Sequence, residues 1–465
     1  MIVPFVLLLC AIALGPLAAG QFWQRHYGKV AFGLGAITLW YYLGVLHAHH
    51  RVLDVAHEYI SFIALIGSLF VVSGGIHIVV KGEATPRANT VYLAIGAVVA
   101  NLLGTTGASM LLIRPWIRMN KYRITAHHIV FFIFIVSNTG GCLTPIGDPP
   151  LFLGYLKGIP FWWVAEHCWP MWAVGVGMLL AIFYVIDLLN YKRAPRQVRA
   201  EHAEPPDQWR IEGLWNLAFL GVILGAVFIE RPPFLREALM LGAAAASYLS
   251  TGKRIHEANR FNFHPIKEVA VLFAGIFATM IPALDWLQLN AGRAGLSGPG
   301  FFFWSCGLLS SVLDNAPTYL SFLSAVFGAA VDQGAIEQVW QLIQAQGAAT
   351  ANALGQYPEH MAGTLAAIKT YYGGALAAGN LTRTQIELAY LIGNSQLKNY
   401  ILAISVGAVF FGANTYIGNG PNFMVKSIAE HQRVNTPTFI GYVVKYTLPF
   451  MLPVLIVVWL LFFRG

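Results

Sequence analysis

The chain has 465 residues, of which 57% are hydrophobic and 11% are charged, and its mean hydropathy is +0.61. Soluble globular proteins carry roughly 25% charged residues, so a soluble surface of this size would lack its usual cover of charge. The composition therefore excludes a cytosolic enzyme, a nucleic-acid-binding protein and a disordered chain. The net charge is +8, and the positions of the charged residues along the chain indicate its orientation in a membrane.

Runs of about 20 apolar residues, the length that a helix needs to cross a bilayer, recur along the chain. The first run resembles a signal peptide, but it lacks the basic residues that precede one, so we interpret it as a helix. The pattern predicts an all-α polytopic membrane protein with spans near 2–19, 29–47, 58–80, 126–147, 164–189, 213–230, 234–250, 266–288, 399–417 and 438–462.

Two further apolar stretches have polar interruptions at their centres. Residues 91–118 are interrupted by Gly104-Thr105-Thr106-Gly107, and residues 300–327 by Asp314-Asn315-Ala316-Pro317-Thr318. Non-helical backbone at membrane depth is tolerated only where it is buried in protein or lines a cavity. We therefore expect two re-entrant hairpins; the alternative is an ordinary helix with a polar kink.

The order of these elements repeats along the chain. Three spans, a hairpin and two spans make up residues 1–190, and the same order recurs in residues 213–465. Because Lys and Arg concentrate on one side, the positive-inside tendency makes 191–212 a cytoplasmic linker. The halves then start on opposite sides of the membrane, which is the inverted repeat of many secondary transporters. The less apolar residues 331–395 indicate an extracytoplasmic insertion.

Each half also contains a predicted broken helix, near 126–152 and near 399–430. Thr144–Phe152 in the first half matches Thr415–Phe423 in the second at Thr, Ile, Gly, Pro and Phe, with an aspartate opposite an asparagine. Glycine and proline interrupt a helix and free its backbone carbonyls. Oxygen-rich, unwound backbone is what a dehydrated sodium ion requires.

Few acidic residues lie deep in the predicted spans, where an ionisable side chain is costly and a functional candidate. Asp148 and Asp314 both fall in broken elements, and we expect both to bind the transported ion; the alternative is that they cap helices. A carboxylate that holds either a proton or a sodium ion provides the simplest chemistry for antiport. The other predicted binding residues are their polar neighbours Ser137, Asn138, Thr139, Thr144, Asn315, Asn414, Thr415 and Asn419.

The segments SNTGG…TPIGD (137–148) and SSVLDNAP (310–317), with the repeated halves, resemble the ion transporter superfamily over roughly residues 30–460. The likeness is to NhaD-type sodium/proton antiporters and the neighbouring citrate-transporter group. It implies hairpins that meet unwound helices at mid-membrane, an elevator-like transport domain on a dimerising scaffold, and a bacterial inner membrane. Such antiporters usually carry an Asp-Asn pair in the first hairpin too, whereas residues 100–106 contain no carboxylate.

Three functions follow from these features. The first is exchange of sodium or lithium for protons, and the second is sodium-coupled uptake of citrate or a dicarboxylate. No basic residue lies within the broken motifs, where Arg114 is the nearest, and this favours the cation. The third is an intramembrane aspartyl protease, but Pro145-Ile146-Gly147-Asp148 lacks the first glycine of a GxGD pattern. The sequence thus predicts a secondary transporter without catalytic residues or cofactors, with lipid and small ions or carboxylates as partners, no nucleic acid, and a homodimer.

Overall fold

The computed structural model describes residues 1–79, 85–193, 210–229, 231–346 and 358–464, so most of the predicted linker at 191–212 lies outside the described residues. Helices predominate because apolar surroundings leave backbone N–H and C=O groups to pair with each other. The helices before the linker are α1 Val3–Ala18, α2 Gly20–Trp40, α3 His49–Gly74, α4 Pro86–Met119, α5 Ala126–Ile135, α6 Pro149–Leu156 and α7 Phe161–Arg193.

The described residues after the linker are also mainly helical. Their helices are α8 Asn216–Ala226, α9 Leu235–Ser250, α10 Lys253–Ala258, α11 His264–Asn290, α12 Pro299–Val312, α13 Asn315–Ala330, α14 Gln333–Gln346, α15 Glu359–Tyr371, α16 Gly373–Ala377, α17 Arg383–Gly393, α18 Lys398–Phe411, α19 Gly420–His431, α20 Phe439–Tyr442 and α21 Leu452–Phe462. Tyr41–Val45 and Val443–Met451 are π-helical, and Thr139–Leu143, Ala291–Ala294 and Gly412–Asn414 are 3₁₀ turns. Two short strands, β1 His77–Val79 and β2 Arg210–Glu212, pair antiparallel.

Six helices in the described part of the chain are long and apolar enough to cross a membrane, and eight if each of two bent pairs counts as one span. The chain is therefore an all-α polytopic membrane protein. The sequence predicts ten spans, and four of them fall on helices that belong neither to these six nor to the bent pairs. Three of the four, α1, α8 and α9, have only 16, 11 and 16 residues, and the fourth is α2. The six also include α4, which the sequence predicts as a hairpin and not as a span.

The chain turns back on itself in the middle of α4. Gly104 has φ 71° and ψ 157°, which is not a helical conformation. The Tyr92 ring stacks on Trp116 with centroids 5.4 Å apart, and the Tyr92 hydroxyl donates to the Leu112 carbonyl at 2.8 Å. In a straight helix, residues 92 and 116 would lie about 36 Å apart. The two arms of α4 therefore run side by side as a hairpin. The alternative of an ordinary helix with a polar kink does not fit these contacts.

A second hairpin is made by α12 and α13, which are separated by Leu313 and Asp314. Phe302 of α12 contacts Phe322 of α13, with ring centroids 6.2 Å apart. The predicted insertion that follows is mainly helical in its described residues, as α14 to α17, and residues 347–357 lie outside the described part. Its placement outside the membrane stays a prediction.

The two broken segments lie in the interior of the molecule. Every residue of 129–136 is fully buried, and so are nearly all residues of 401–411. Each helix then gives way to a 3₁₀ turn, at Thr139–Leu143 in the first half and Gly412–Asn414 in the second. Because these turns cannot form a complete helical hydrogen-bond ladder, their polar groups have to find partners in neighbouring elements.

Candidate ion-binding site

In the first half, the broken segment is hydrogen-bonded to the first arm of the α4 hairpin. The Thr144 hydroxyl donates to the Asn101 carbonyl at 2.7 Å and accepts from the Gly147 N–H at 3.1 Å. The Asn101 side chain donates to the Gly140 carbonyl and accepts from the Leu143 N–H, at 2.7 and 2.8 Å. The freed backbone groups thus find partners on the hairpin, three residues before its turn at Gly104.

The second half repeats these contacts. The Thr415 hydroxyl donates to the Ser311 carbonyl at 2.6 Å and accepts from the Gly418 N–H at 3.1 Å. The Asn414 amide donates to the Ser311 hydroxyl at 2.9 Å. The threonine and glycine are those that the two sequence segments share, so the segments share hydrogen bonds as well as residue types. The orientation of the halves across a membrane stays a prediction.

Asp148 is fully buried, and three elements bond to its carboxylate. Its Oδ1 accepts from the Thr105 hydroxyl at 2.6 Å and from the Asn419 amide at 3.1 Å. Its Oδ2 accepts from the Asn315 amide at 2.6 Å. Thr105 follows the turn of the first hairpin, Asn315 follows the turn of the second, and Asn419 lies in the second broken segment. Residues from both halves therefore meet at one carboxylate.

The two aspartates have different environments. Asp148 precedes the first residue of α6, but its side chain caps no backbone N–H of that helix. Asp314 is half-buried, and its Oδ1 accepts from the Ala316 N–H at 3.0 Å, as a helix cap does. The capping alternative therefore describes Asp314 and not Asp148. Among the described residues, no hydrogen bond joins the two carboxylates, and the protease alternative gains no support.

Asn419 connects Asp148 to the first broken helix. Its amide also approaches the Ser137 carbonyl and the Asn138 Oδ1, each at 3.1 Å. The Asn138 amide in turn donates to Asn422 Oδ1 at 2.7 Å. All of these side chains are buried, so they form one hydrogen-bonded polar network inside an apolar protein.

Three buried oxygens near this network have no hydrogen-bond partner within the described residues: Thr139 Oγ1, Asn315 Oδ1 and Asn414 Oδ1. A buried polar atom without a partner costs about 1–3 kcal/mol. Amide and hydroxyl oxygens around a carboxylate are the donor set that hard cations prefer. The side chains present therefore form a donor set that fits a hard cation such as sodium.

A cavity opens beside the site between α3, the tip of the α4 hairpin and the start of α6. The lining residues with polar side chains are Asp148, Thr105 and Thr106, and the others are glycine or apolar, among them Leu65, Leu69 and Phe152. No lysine or arginine is among the lining residues in the described part of the chain. The cavity thus presents an acidic group without a basic counterpart.

The predicted site residues fall into three groups. Asp148 contacts Asn315 and Asn419 directly, and Ser137 and Asn138 join it through Asn419. The remaining residues lie around this centre: Thr144, Asn414 and Thr415 tie the broken segments to the hairpins, whereas Asp314 and Thr139 make no hydrogen bond to Asp148 among the described contacts. Their roles in ion binding stay predictions.

Sequence reasoning missed several residues of the network, above all Thr105 and Asn101. Thr105 lies in the polar interruption that indicated the hairpin, but nothing in the letters shows which of its side chains points to Asp148. The structure supplies an equivalence: Thr105 follows Gly104 at the first turn as Asn315 follows Asp314 at the second. The carboxylate expected in the first hairpin is therefore replaced by glycine.

Comparison with known proteins adds one finding. The sequence model of a family described as "Putative citrate transport" matches residues 1–463, which is nearly the whole chain. This confirms the resemblance to the citrate-transporter group of the ion transporter superfamily. No curated protein matches the chain.

Proposed function

Since the chain belongs to this citrate-transport family and is a multi-pass membrane transporter, we propose that sodium ions and protons compete for one buried site at Asp148. The family assignment supports transport of small substrates across a bilayer. It leaves open which species moves, and the chemistry of the site has to supply that part of the proposal.

The leading candidate is exchange of sodium or lithium for protons. The observation that carries it is the buried Asp148 carboxylate, beside which Asn315 donates through Nδ2 while its Oδ1 is unpaired among the described residues. A sodium ion at this carboxylate would gain an amide oxygen as a further ligand. A proton on Asp148 would remove the negative charge that attracts sodium, so the two ions bind in turn.

Sodium-coupled uptake of citrate or another carboxylate is the second candidate, and the family match favours it. Helices α6, α13 and α19 begin at Pro149, Asn315 and Gly420, close to the site. Helix N-termini favour anions. A sodium ion at Asp148 would offset the repulsion between the Asp148 carboxylate and a carboxylate of the substrate. The absence of lysine and arginine from the described cavity lining favours the first candidate.

Purified protein in proteoliposomes tests both candidates. We expect an outward sodium gradient to acidify the lumen in a protein-dependent manner, with no need for citrate, because sodium leaving the vesicle is exchanged for protons. The opposite result would be accumulation of labelled citrate in the presence of sodium, with no sodium-dependent pH change when citrate is absent. That result would refute exchange in favour of the second candidate.

The proposal also includes an elevator-like movement of the hairpin-bearing part, a homodimer and a bacterial inner membrane. These three features are supported by the resemblance to the ion transporter superfamily. Single-molecule photobleaching in a bilayer measures the oligomeric state, and two steps for each particle are expected.

A further inference from the structure

A second buried polar cluster lies outside the Asp148 site, where α4, α5 and α7 meet. It contains Asp187 near the end of α7 and the adjacent histidines His127 and His128 at the start of α5. The side chains of Asp187 and His128 are fully buried, and that of His127 is 10% exposed. Nothing in the proposed transport function uses these three residues.

The same nitrogen of each imidazole lies close to the same carboxylate oxygen. Their rings stack with centroids 4.1 Å apart, and Nε2 of His127 and His128 lie 3.5 and 3.1 Å from Asp187 Oδ1. The three potential ligand atoms lie within 4.8 Å of one another. Both Nε2 atoms are buried and make no well-aligned hydrogen bond within the described residues. A buried nitrogen in this condition is costly unless something else binds it.

The other nitrogens of the two rings are held by Thr125. Its hydroxyl lies 2.6 Å from His127 Nδ1 and 3.2 Å from His128 Nδ1. When Nδ1–H donates to this hydroxyl, Nε2 keeps its lone pair, and metal-binding histidines are commonly oriented by such a bond. The Thr125 N–H donates to His128 Nδ1 at 3.2 Å, so metal binding at His128 Nε2 requires the ring to give up this backbone bond and to carry its proton on Nδ1, facing the Thr125 hydroxyl.

We propose that His127 Nε2, His128 Nε2 and Asp187 Oδ1 bind a divalent metal ion such as zinc. Two imidazoles and one carboxylate form a borderline-soft donor set that suits zinc, with a fourth position left for water. The set does not suit sodium, calcium or magnesium, which prefer oxygen ligands alone. The proposal is independent of the exchange function at Asp148.

Arg123 is the cation that a metal ion would meet. Its guanidinium donates to both oxygens of Asp187, and the bond to Oδ2 is 2.9 Å long. Asn89 also donates to Oδ2, at 2.8 Å. Metal binding at Oδ1 therefore displaces one arm of Arg123, while Oδ2 keeps its amide and guanidinium partners. The remaining repulsion between Arg123 and the ion sets an upper limit on affinity.

The metal ion would reinforce the base of the first hairpin. Asn89 in the first arm of α4 and Asn120 at the end of the second arm bond to each other at 2.9 and 3.1 Å. Through Asn89 and Asp187, both arms are connected to α7. A metal ion that links Asp187 to α5 would therefore couple the hairpin base to two further helices and raise the melting temperature.

The test uses the full-length chain, purified in detergent and treated with a chelator. Zinc is titrated by calorimetry, and melting is followed with and without zinc. We expect zinc to raise the melting temperature of the wild type but not that of His128→Gln, which should bind one equivalent less. His49→Gln is the control, because His49 belongs to a separate exposed group of histidines and should keep the melting shift.

The same experiment can overturn the proposal. An equal zinc-dependent shift in wild type and His128→Gln, or no shift in the wild type, contradicts it. If His128→Gln does not fold, His127→Gln takes its place, since His127 is less buried and its loss is easier to accommodate. An anomalous zinc signal between His127, His128 and Asp187 in crystals of the wild type supports the proposal, and zinc at other histidines only refutes it.

Discussion

Asp148 receives hydrogen bonds from Thr105, Asn315 and Asn419, which belong to three different elements. A hydrogen bond to a charged group contributes about 1.5–3 kcal/mol, so three of them hold a buried carboxylate without a basic partner. The charge is thereby solvated by protein dipoles and not cancelled. A sodium ion or a proton is attracted to such a group, which is the basis of the proposed competition.

Asp148→Asn tests this residue directly. The amide keeps the size of the side chain and removes its charge, so we expect the protein to fold and its transport to fall to the level of empty vesicles. Transport assays in proteoliposomes measure the effect. Asp54→Asn is the matched control, because Asp54 is an exposed carboxylate on α3, and its transport rate should equal that of the wild type.

Thr105→Val removes one donor from Asp148 while preserving the shape of the side chain. This donor stabilises the ion-free carboxylate and competes with the cation, so loss of a bond worth about 1.5–3 kcal/mol predicts roughly tenfold or greater strengthening of cation binding, which appears as a lower KM for sodium at a pH where protons do not compete. Thr90→Val is the control, since that hydroxyl bonds to a carbonyl of its own helix, Pro86. An unchanged KM in Thr105→Val would show that this hydrogen bond has no part in binding.

The residue scale also shows where sequence reasoning succeeds and fails. Asp148 can be found from the sequence because a carboxylate is costly at membrane depth, and one that lies in a Gly- and Pro-broken apolar run therefore indicates a functional site. Thr105 cannot be found in this way, because the hydroxyl of a threonine in a helix commonly donates to a backbone carbonyl of the same helix, as that of Thr90 does. Its role depends on the packing of α4 against the broken segment, and that contact joins residues 43 positions apart.

Among the elements, the first hairpin depends on its turn at Gly104. The backbone there has φ 71° and ψ 157°, and the Thr105 N–H that follows donates to the Gly147 carbonyl at 2.7 Å. The turn therefore sets the position of Thr105 relative to Asp148. A Cβ at residue 104 would lie 3.2 Å from the Ile146 carbonyl oxygen as well as in a strained conformation.

Gly104→Ala is expected to destabilise the protein by about 1–3 kcal/mol, the usual cost of such a backbone conformation in a residue with a side chain. Thermal melting in detergent measures the loss. Gly177→Ala is the control, because Gly177 lies on the exposed side of α7 with no atom near the added methyl group. Its melting temperature should be unchanged or higher, and an equal fall in both variants would contradict the role of the turn.

Hydropathy predicts the elements with uneven success. It indicates the two hairpins because polar residues interrupt them, and α4, α12 and α13 fold back at these interruptions. It overstates the length of α8, which has 11 residues, because an apolar side chain does not show where a helix ends. The bend of 94° between α17 and α18 is likewise set by packing and by the break at residues 394–397, and the letters do not give its angle.

For the whole molecule, the central observation is that both halves of the chain contribute to one site. The Thr144 and Thr415 contacts repeat each other, yet the halves differ chemically: Asp148 corresponds to Asn419, and Gly104 corresponds to Asp314. The repeated segments can be recognised in the sequence. Their convergence at Asp148 cannot be predicted from it, because that convergence depends on pairs such as Asn315 and Asp148, which are 167 residues apart.

Proton release on sodium binding tests the central claim most directly. Purified protein in weakly buffered detergent solution is mixed with sodium chloride, and the pH is recorded for the wild type and for Asp148→Asn, with choline chloride as the salt control. If sodium and protons compete at Asp148, sodium lowers the pH of the wild-type solution and leaves that of the variant unchanged. Equal proton release from both proteins, or none from a wild type that still transports, would contradict the account.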